Sequence, residues 1–165
     1  MKKAYTLIEL LLYVGLLAII MSIVSYFLFA SISAKVKNRT IAEVEQQGEM
    51  AMQMISQTIR NSSAINSPIS GANAGTLSLN IPDLTKTPTI FSLSAGKIQI
   101  QEGTGIATDL TSSRIVITNL IFQNISRPST PGVIRVGFTA SYNDPNGRNE
   151  YQFSKNFYCS ASRRY

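Results

Sequence analysis

The sequence predicts an α+β fold in which a long N-terminal helix packs on a C-terminal antiparallel β-sheet. Proline is absent before Pro68, so nothing interrupts a helical pattern that extends from Tyr5 to about Ser62. After Ser62 the hydrophobic period changes to that of alternating strands separated by turn residues. An early helix followed by a series of strands with short turns is typical of an α+β protein.

The first half of the predicted helix is apolar on all sides. No charged residue occurs from Leu10 through Ala34, and at ~1.5 Å per residue this run can cross a bilayer core of ~30 Å. A helix without a polar face is typical of a segment buried in lipid or among other helices. Lys35, Lys37 and Arg39 follow directly, and such a basic collar would be attracted to anionic lipid headgroups.

The second half of the predicted helix is amphipathic. Polar residues such as Glu43, Gln53 and Arg60 lie away from an apolar stripe, which predicts that this half packs on its own domain. The stripe consists of residues at helical spacing: Ile41, Val44, Gly48, Ala51, Met52, Ile55 and Ile59.

The rest of the chain predicts strands and turns. Residues 66–75 read as a loop, and the alternation of Leu77, Leu79 and Ile81 predicts a half-buried strand. A hairpin of strands over 89–94 and 97–101 about Ala95 and Gly96 follows, with Phe91, Leu93, Ile98 and Ile100 facing inward. The last predicted elements are strands over 114–125, 133–142 and about 150–158, with a turn at 143–147 before the last of them.

Composition argues against an enzyme. The chain of 165 residues has no histidine, which excludes histidine-based triads, histidine-ligated zinc and an imidazole base. After Ser62 the few carboxylates show no metal-ligand or acid–base spacing, and Gly103 and Gly105 lack the Gly-Lys-Ser/Thr ending of a phosphate loop. We therefore expect no catalytic residue, no metal and no cofactor.

The cysteine content and the charge distribution limit which bonds and partners are expected. Cys159 is the one cysteine, so no intrachain disulfide can form; we expect a small buried residue near the end of a strand, with pairing to another subunit as the alternative. The formal net charge is +6, but the basic residues of the C-terminal part are scattered. This distribution does not indicate specific nucleic-acid binding.

Glu9 is the one acidic residue at the start of the apolar run. A carboxylate at the edge of the hydrocarbon costs roughly 1–3 kcal/mol, so an unpaired carboxylate at that position generally has a function. A positive charge at the same depth would pair with it. Cleavage of the chain after Ala4 would supply such a charge, the new α-amino group of Tyr5.

The N-terminal stretch Lys2-Lys3-Ala4 followed by Tyr5-Thr6-Leu7-Ile8-Glu9-Leu10-Leu11 resembles the prepilin signature of type IV pilins and type II secretion pseudopilins. Two positions depart from the usual pattern: Ala4 stands where glycine is common, and Tyr5 stands where phenylalanine is common. Both replacements keep the size or the aromatic character. The run from Glu45 to Glu49 and on to Ser62, with the late strands, most resembles minor subunits of the J-type pseudopilin and W-type pilin.

This resemblance implies a set of roles and partners. A prepilin peptidase would cleave between Ala4 and Tyr5, Tyr5 would be N-methylated, and Glu9 would guide assembly. The chain would divide into a leader (1–4), a transmembrane or fibre-core helix (5–34), an amphipathic helix half (35–62) and a β domain (63–165). Its partners would be the peptidase, other filament subunits, an assembly platform in the cytoplasmic membrane and membrane lipids, with the C-terminal domain outside.

Several alternatives remain at this point. Thr6 and Glu9 also fit a capping box, in which Glu9 only closes the first turn of the helix. The apolar run could be a plain single-span anchor, or a secretory signal cleaved near Ser33 or Ala34, although its length exceeds the usual signal core. In function, the rivals to a structural filament subunit are an adhesin or DNA-uptake minor pilin on the same anchor, and a membrane-anchored enzyme.

Overall fold

The computed structural model describes residues 6–128, 130–144 and 147–164. Contacts divide the chain into two compact units, residues 1–39 and residues 40–165. The elements in chain order are α1 (Leu7–Asn61), β1 (Ala64–Ser67), β2 (Asn73–Ala74), β3 (Leu77–Asn80), a 3-10 helix (Leu84–Lys86), β4 (Thr89–Ser94), β5 (Lys97–Glu102), β6 (Thr108–Asp109), β7 (Ile115–Asn124), β8 (Val133–Tyr142) and β9 (Ser154–Ser162).

The second unit contains two antiparallel sheets. The first has the strand order β1-β3-β4-β5-β6 and the second the order β2-β7-β8-β9. The buried face of α1 and both sheets contribute to one hydrophobic core, which confirms the predicted α+β class. The sequence indicated a sheet but not its division into two. The largest fully buried side chains are Phe91, Phe122, Phe138, Ile55, Ile59, Leu77, Leu79, Ile98, Ile115, Ile117, Ile134 and Val44.

The apolar stripe predicted for the second half of α1 is the face that the domain buries. Val44, Ile55 and Ile59 are completely inaccessible to solvent, whereas Gln53 and Arg60 are exposed. The helical period of the sequence therefore identified the core-facing side of this half of the helix.

A tight turn and an irregularity in strand pairing both use residues with positive φ angles in the second unit. Ala95 and Gly96 both have positive φ angles, 49° and 73°, as a two-residue turn of the I′ type requires. This turn joins β4 and β5 in the predicted hairpin. In β7 the pairing shifts between Thr118 and Ile121, and Asn119 has a φ of 55°, a left-handed conformation that asparagine tolerates better than most residues.

Three strand predictions were wrong in detail. The last strand begins at Ser154, not near Glu150, because the preceding residues form turns in which the Tyr151 amide donates to the Arg148 carbonyl at 3.0 Å. The predicted loop 66–75 contains part of β1 and all of β2. Leu93, predicted to face inward, is exposed, because it lies close to the turn of the hairpin. The short strand β6 was not predicted.

Helix α1 and strand β9 pack closely against each other at Gly48. A Cβ atom built on Gly48 would lie 2.2 Å from Cζ of the Phe157 ring in β9. Real Cβ atoms do not tolerate such a distance, so glycine at this position allows the helix and the strand to pack closely. The Phe157 ring is itself buried and stacks on Phe138, with ring centroids 5.3 Å apart.

We expect Gly48→Ala to destabilise the second unit. Alanine favours a helix by about 1 kcal/mol over glycine, but displacing a buried aromatic ring costs typically 1–3 kcal/mol. The substitution should therefore lower the melting temperature of the full chain in detergent micelles, measured by near-ultraviolet circular dichroism. Gly15→Ala is the matched control, since a Cβ at Gly15 meets nothing within 4 Å.

A substitution at Phe157 tests whether its ring causes the expected loss of stability. In Gly48→Ala/Phe157→Leu the smaller side chain leaves room for the new methyl group, so the two substitutions should couple favourably in a double-mutant cycle. Additive effects, or a Gly48→Ala variant as stable as the wild type, would contradict the packing argument.

Candidate functional site

Glu9 lies in the first turn of α1. The Thr6 carbonyl accepts hydrogen bonds from the amides of Glu9 and Leu10, at 3.1 and 3.2 Å, and the Thr6 hydroxyl accepts from the Glu9 amide at 3.4 Å. Within residues 6–128 the reciprocal bond, from the Thr6 amide to the Glu9 carboxylate, is not formed. The structure thus contains one half of a capping box and leaves the carboxylate of Glu9 available for another partner. Ala4 and Tyr5 lie outside the described residues.

The apolar surface of α1 in the first unit has no protein partner in the described chain. Every large apolar side chain from Leu7 through Ile32 is exposed, including Tyr26 and Phe29. Among the described residues, α1 is the one helix long and apolar enough to cross a membrane. An apolar surface of this size is stable only against lipid or other apolar segments.

The basic collar lies immediately after this surface. Lys35, Lys37 and Arg39 are all exposed on α1, so their charges can reach anionic headgroups next to a membrane-inserted segment.

Helix α1 is tied to strand β9 by polar contacts that accompany the Gly48 contact. Lys155 in β9 donates to the Glu45 carboxylate at 2.6 Å. The Ser56 hydroxyl lies 3.1 Å from Sγ of Cys159. Cys159 is partly buried and packs against the core, which agrees with the expected role of a small residue in a strand, although it lies inside β9 and not at its end.

A groove of about 770 Å³ follows the free side of β9. One wall is the polar side of α1, including Glu49, Gln53 and Arg60, and the other contains Tyr158 and Cys159. Arg164 lies at the end where its backbone amide donates to the carbonyl of Arg60 at 3.1 Å. Sequence periodicity could not reveal this groove, because it depends on which strand lies at the edge of the sheet.

Among residues 6–128, 130–144 and 147–164, no group of three His, Cys, Asp or Glu side chains could hold a metal ion. The aromatic pair Tyr142 and Tyr151 stacks with ring centroids 5.4 Å apart, beside Asp144.

Two exposed carboxylates have lowered pKa values for structural reasons. Hydrogen bonds from Lys97 and then Gln99, at 2.6 and 2.7 Å, hold the pKa of Asp109 below its ordinary value of 3.8. The Thr85 hydroxyl and amide lower the pKa of Asp83 in the same way. Asp109 fixes the short strand β6 against β5, and Asp83 caps the 3-10 helix, so neither marks a reactive site.

A scan against protein-family models, a search of curated proteins and a search of solved structures found no match to this chain.

Acid should weaken the domain through Asp109. Its pKa is lower in the folded state than in the unfolded state, so its contribution to stability is present above pH 3.8 and is lost as the pH falls through the folded-state pKa. Asp109→Asn should be less stable than the wild type at pH 7, and this difference should shrink at lower pH. Urea unfolding of the full chain in micelles at pH 7 and near pH 3 measures it.

Glu49→Gln is the control, since Glu49 makes no recorded hydrogen bond or ion pair to a described residue. A stability difference between wild type and Asp109→Asn that is independent of pH would contradict the assignment.

Proposed function

We propose that this chain is a non-enzymatic structural subunit of a type IV filament, either a pilus or a secretion pseudopilus. The observation that carries the proposal is the composition of α1. It has an uncharged, fully exposed apolar segment with one carboxylate in its first turn, and the same helix ends as a packed element of an α+β domain. This architecture is consistent with that of pilin-like proteins.

The first proposed step is insertion into the cytoplasmic membrane as a single-pass prepilin. The segment after Glu9 supplies the span, and the basic collar at Lys35, Lys37 and Arg39 lies at the membrane surface. The domain that follows is placed outside. A prepilin peptidase then cleaves after Ala4, and Tyr5 becomes the methylated N-terminal residue.

The second proposed step is assembly. In a filament the apolar helices bury one another, and the carboxylate of Glu9 enters a region of low dielectric. The amino group of Tyr5, in the same or an adjacent subunit, provides the counter-charge. Removing one member of a buried ion pair typically costs ~3–5 kcal/mol, because the remaining charge is left uncompensated. This cost makes the register of the helices specific.

The resemblance to J-type and W-type subunits suggests a minor component of the filament. Exposed residues of α1 in the second unit, Met50 and Met54, are available for contact with neighbouring subunits, and methionine adapts to irregular surfaces. Membrane lipids, the peptidase, the assembly platform and other subunits are the proposed partners.

Processing is the first test. The full chain, expressed with and without a prepilin peptidase, should lose residues 1–4 only in the presence of the enzyme, as measured by intact mass of the membrane fraction. Substituting Ala4 with a bulky residue such as leucine should prevent the cut. A chain that remains whole, or one cut near Ser33, would refute the prepilin assignment.

Assembly is the second test, and Thr6→Ala is its matched control. Glu9→Leu should insert and be cleaved, yet enter sheared filaments roughly tenfold less than the wild type or worse, as expected from the loss of a buried ion pair. Thr6→Ala removes the hydroxyl that caps the Glu9 amide but keeps the carboxylate, so its incorporation should be close to normal.

The two variants separate the explanations of Glu9. If Glu9 only closes the first helical turn, both variants should lose about 1 kcal/mol of helix stability and assemble similarly. Equal incorporation of Glu9→Leu and wild type would end the assembly role.

A further inference from the structure

The four sheet edges of the second unit differ greatly in length. Strands β1, β6 and β2 end their sheets with 4, 2 and 2 residues, whereas β9 ends the second sheet with 9 residues. Natural proteins avoid long free edges, because unpaired amides and carbonyls bind other strands. The edge of β9 therefore stands out from the other three.

Two hydrogen bonds determine which residues of β9 face the free edge. The Tyr142 amide donates to the Phe153 carbonyl at 3.1 Å, and the Arg163 amide donates to the Gly132 carbonyl at 2.8 Å. These bonds flank a continuous antiparallel register of β8 with β9. Since bonded pairs alternate in such a ladder, the odd-numbered residues of β9 bond to β8. The residues that direct their backbone amides and carbonyls outward are Ser154, Asn156, Tyr158, Ser160 and Ser162.

The usual protections of an edge are missing along most of β9. No charged residue and no proline lie between Lys155 and Arg163, and the register has no bulge. Lys155 is turned to the helix and bound to Glu45. Among the described residues, no hydrogen bond is recorded to the outward amides and carbonyls of β9.

The groove beside the edge gives the expected chemistry of an occupant. It has room for the side chains of one extended segment, with Gln53 and Gln57 of α1 on one side and Tyr158 of β9 on the other. At one end Arg60 and Arg164 both line it, and neither side chain forms a salt bridge with a carboxylate of a described residue. A segment with acidic side chains at that end would be complementary in charge.

We propose that the free edge of β9 binds an extended segment of a different polypeptide, which adds a fifth strand to the second sheet and places acidic side chains beside Arg60 and Arg164. Antiparallel pairing is favoured, since it is slightly more stable per residue than parallel pairing. The N-terminal end of the added segment then lies at the Arg60 and Arg164 end.

A second copy of this chain fits less well. Antiparallel pairing of β9 with β9 about a twofold axis would also run residues 40–61 of the two α1 helices in opposite directions, because β9 advances along the helix from Glu45 to Arg60. The Arg60 and Arg164 end of one copy would then face the Lys155 end of the other, and β9 itself contains no acidic side chain to meet those arginines.

The test uses the full chain in detergent micelles and synthetic peptides of alternating threonine and valine with two aspartates at the N-terminal end. Binding is measured by fluorescence anisotropy. The protein variants are Ser160→Pro, which removes an outward amide without removing a bond to β8, and Ser160→Ala, which keeps that amide. We expect Ser160→Pro to bind the peptide at least tenfold more weakly than Ser160→Ala, at equal melting temperature.

Two peptide sets keep the test valid if Ser160→Pro fails to fold. In one set the peptides are N-methylated on the alternate residues whose amides face β9, and in the other set on the residues between them. The first set should lose binding, and the second set should retain it. Replacing the aspartates with lysines, or Arg60 and Arg164 with glutamine, should each weaken binding about tenfold.

The remaining outcomes overturn the proposal. Equal binding by the two Ser160 variants together with equal binding by the two methylated sets would show that the edge is not used, and no binding at millimolar peptide would show that it takes no such strand. Self-association of the wild type that Ser160→Pro abolishes would assign the edge to a second copy. None of these measurements requires filaments, so they are independent of the assembly and processing tests.

Discussion

The second unit depends on the burial of one face of α1 by β9 and its neighbours. The contact of Gly48 with the Phe157 ring sets how closely helix and strand approach. Phe157 in turn stacks on Phe138 of β8, so the distance between helix and strand is coupled to the packing of the second sheet. A side chain at position 48 would therefore disturb more than one layer of the core.

The energetic effect of the Glu9 carboxylate has a different origin from that of the ion pairs in the second unit. Lys155 and Glu45, or Lys97 and Asp109, are partly exposed pairs within one chain, and such pairs contribute little to stability. Glu9 precedes an uncharged, exposed helix, and its environment changes when that surface is covered by lipid or by other helices. In the proposed filament, a carboxylate there would have little effect on an isolated subunit and a large effect on how subunits align.

The sequence was most informative where the signal is local. The helical period and the lack of proline placed α1 within two residues at its start, and alternation placed β4 and β8 at their observed bounds. The short strands β2 and β6 were not predicted, because they form only through pairing with other strands. The start of β9 was misplaced because Tyr151 and Phe153 have high strand propensity, while turns and the stacking of Tyr151 on Tyr142 hold them outside the strand.

The free edge of β9 depends on strand order, which the hydrophobic period of a sequence does not encode. Alternation predicts that the even-numbered residues of β9 are exposed, but only the order β2-β7-β8-β9 shows that their backbone groups are unpaired. Each unit thus leaves one surface whose natural complement is another molecule: apolar side chains in the first, and backbone donors and acceptors in the second. The two complements differ in chemistry, since lipid or an apolar helix covers the first surface but only an extended backbone satisfies the second. On the two proposals together, the chain would bind one neighbour through its helix and a different one through its sheet.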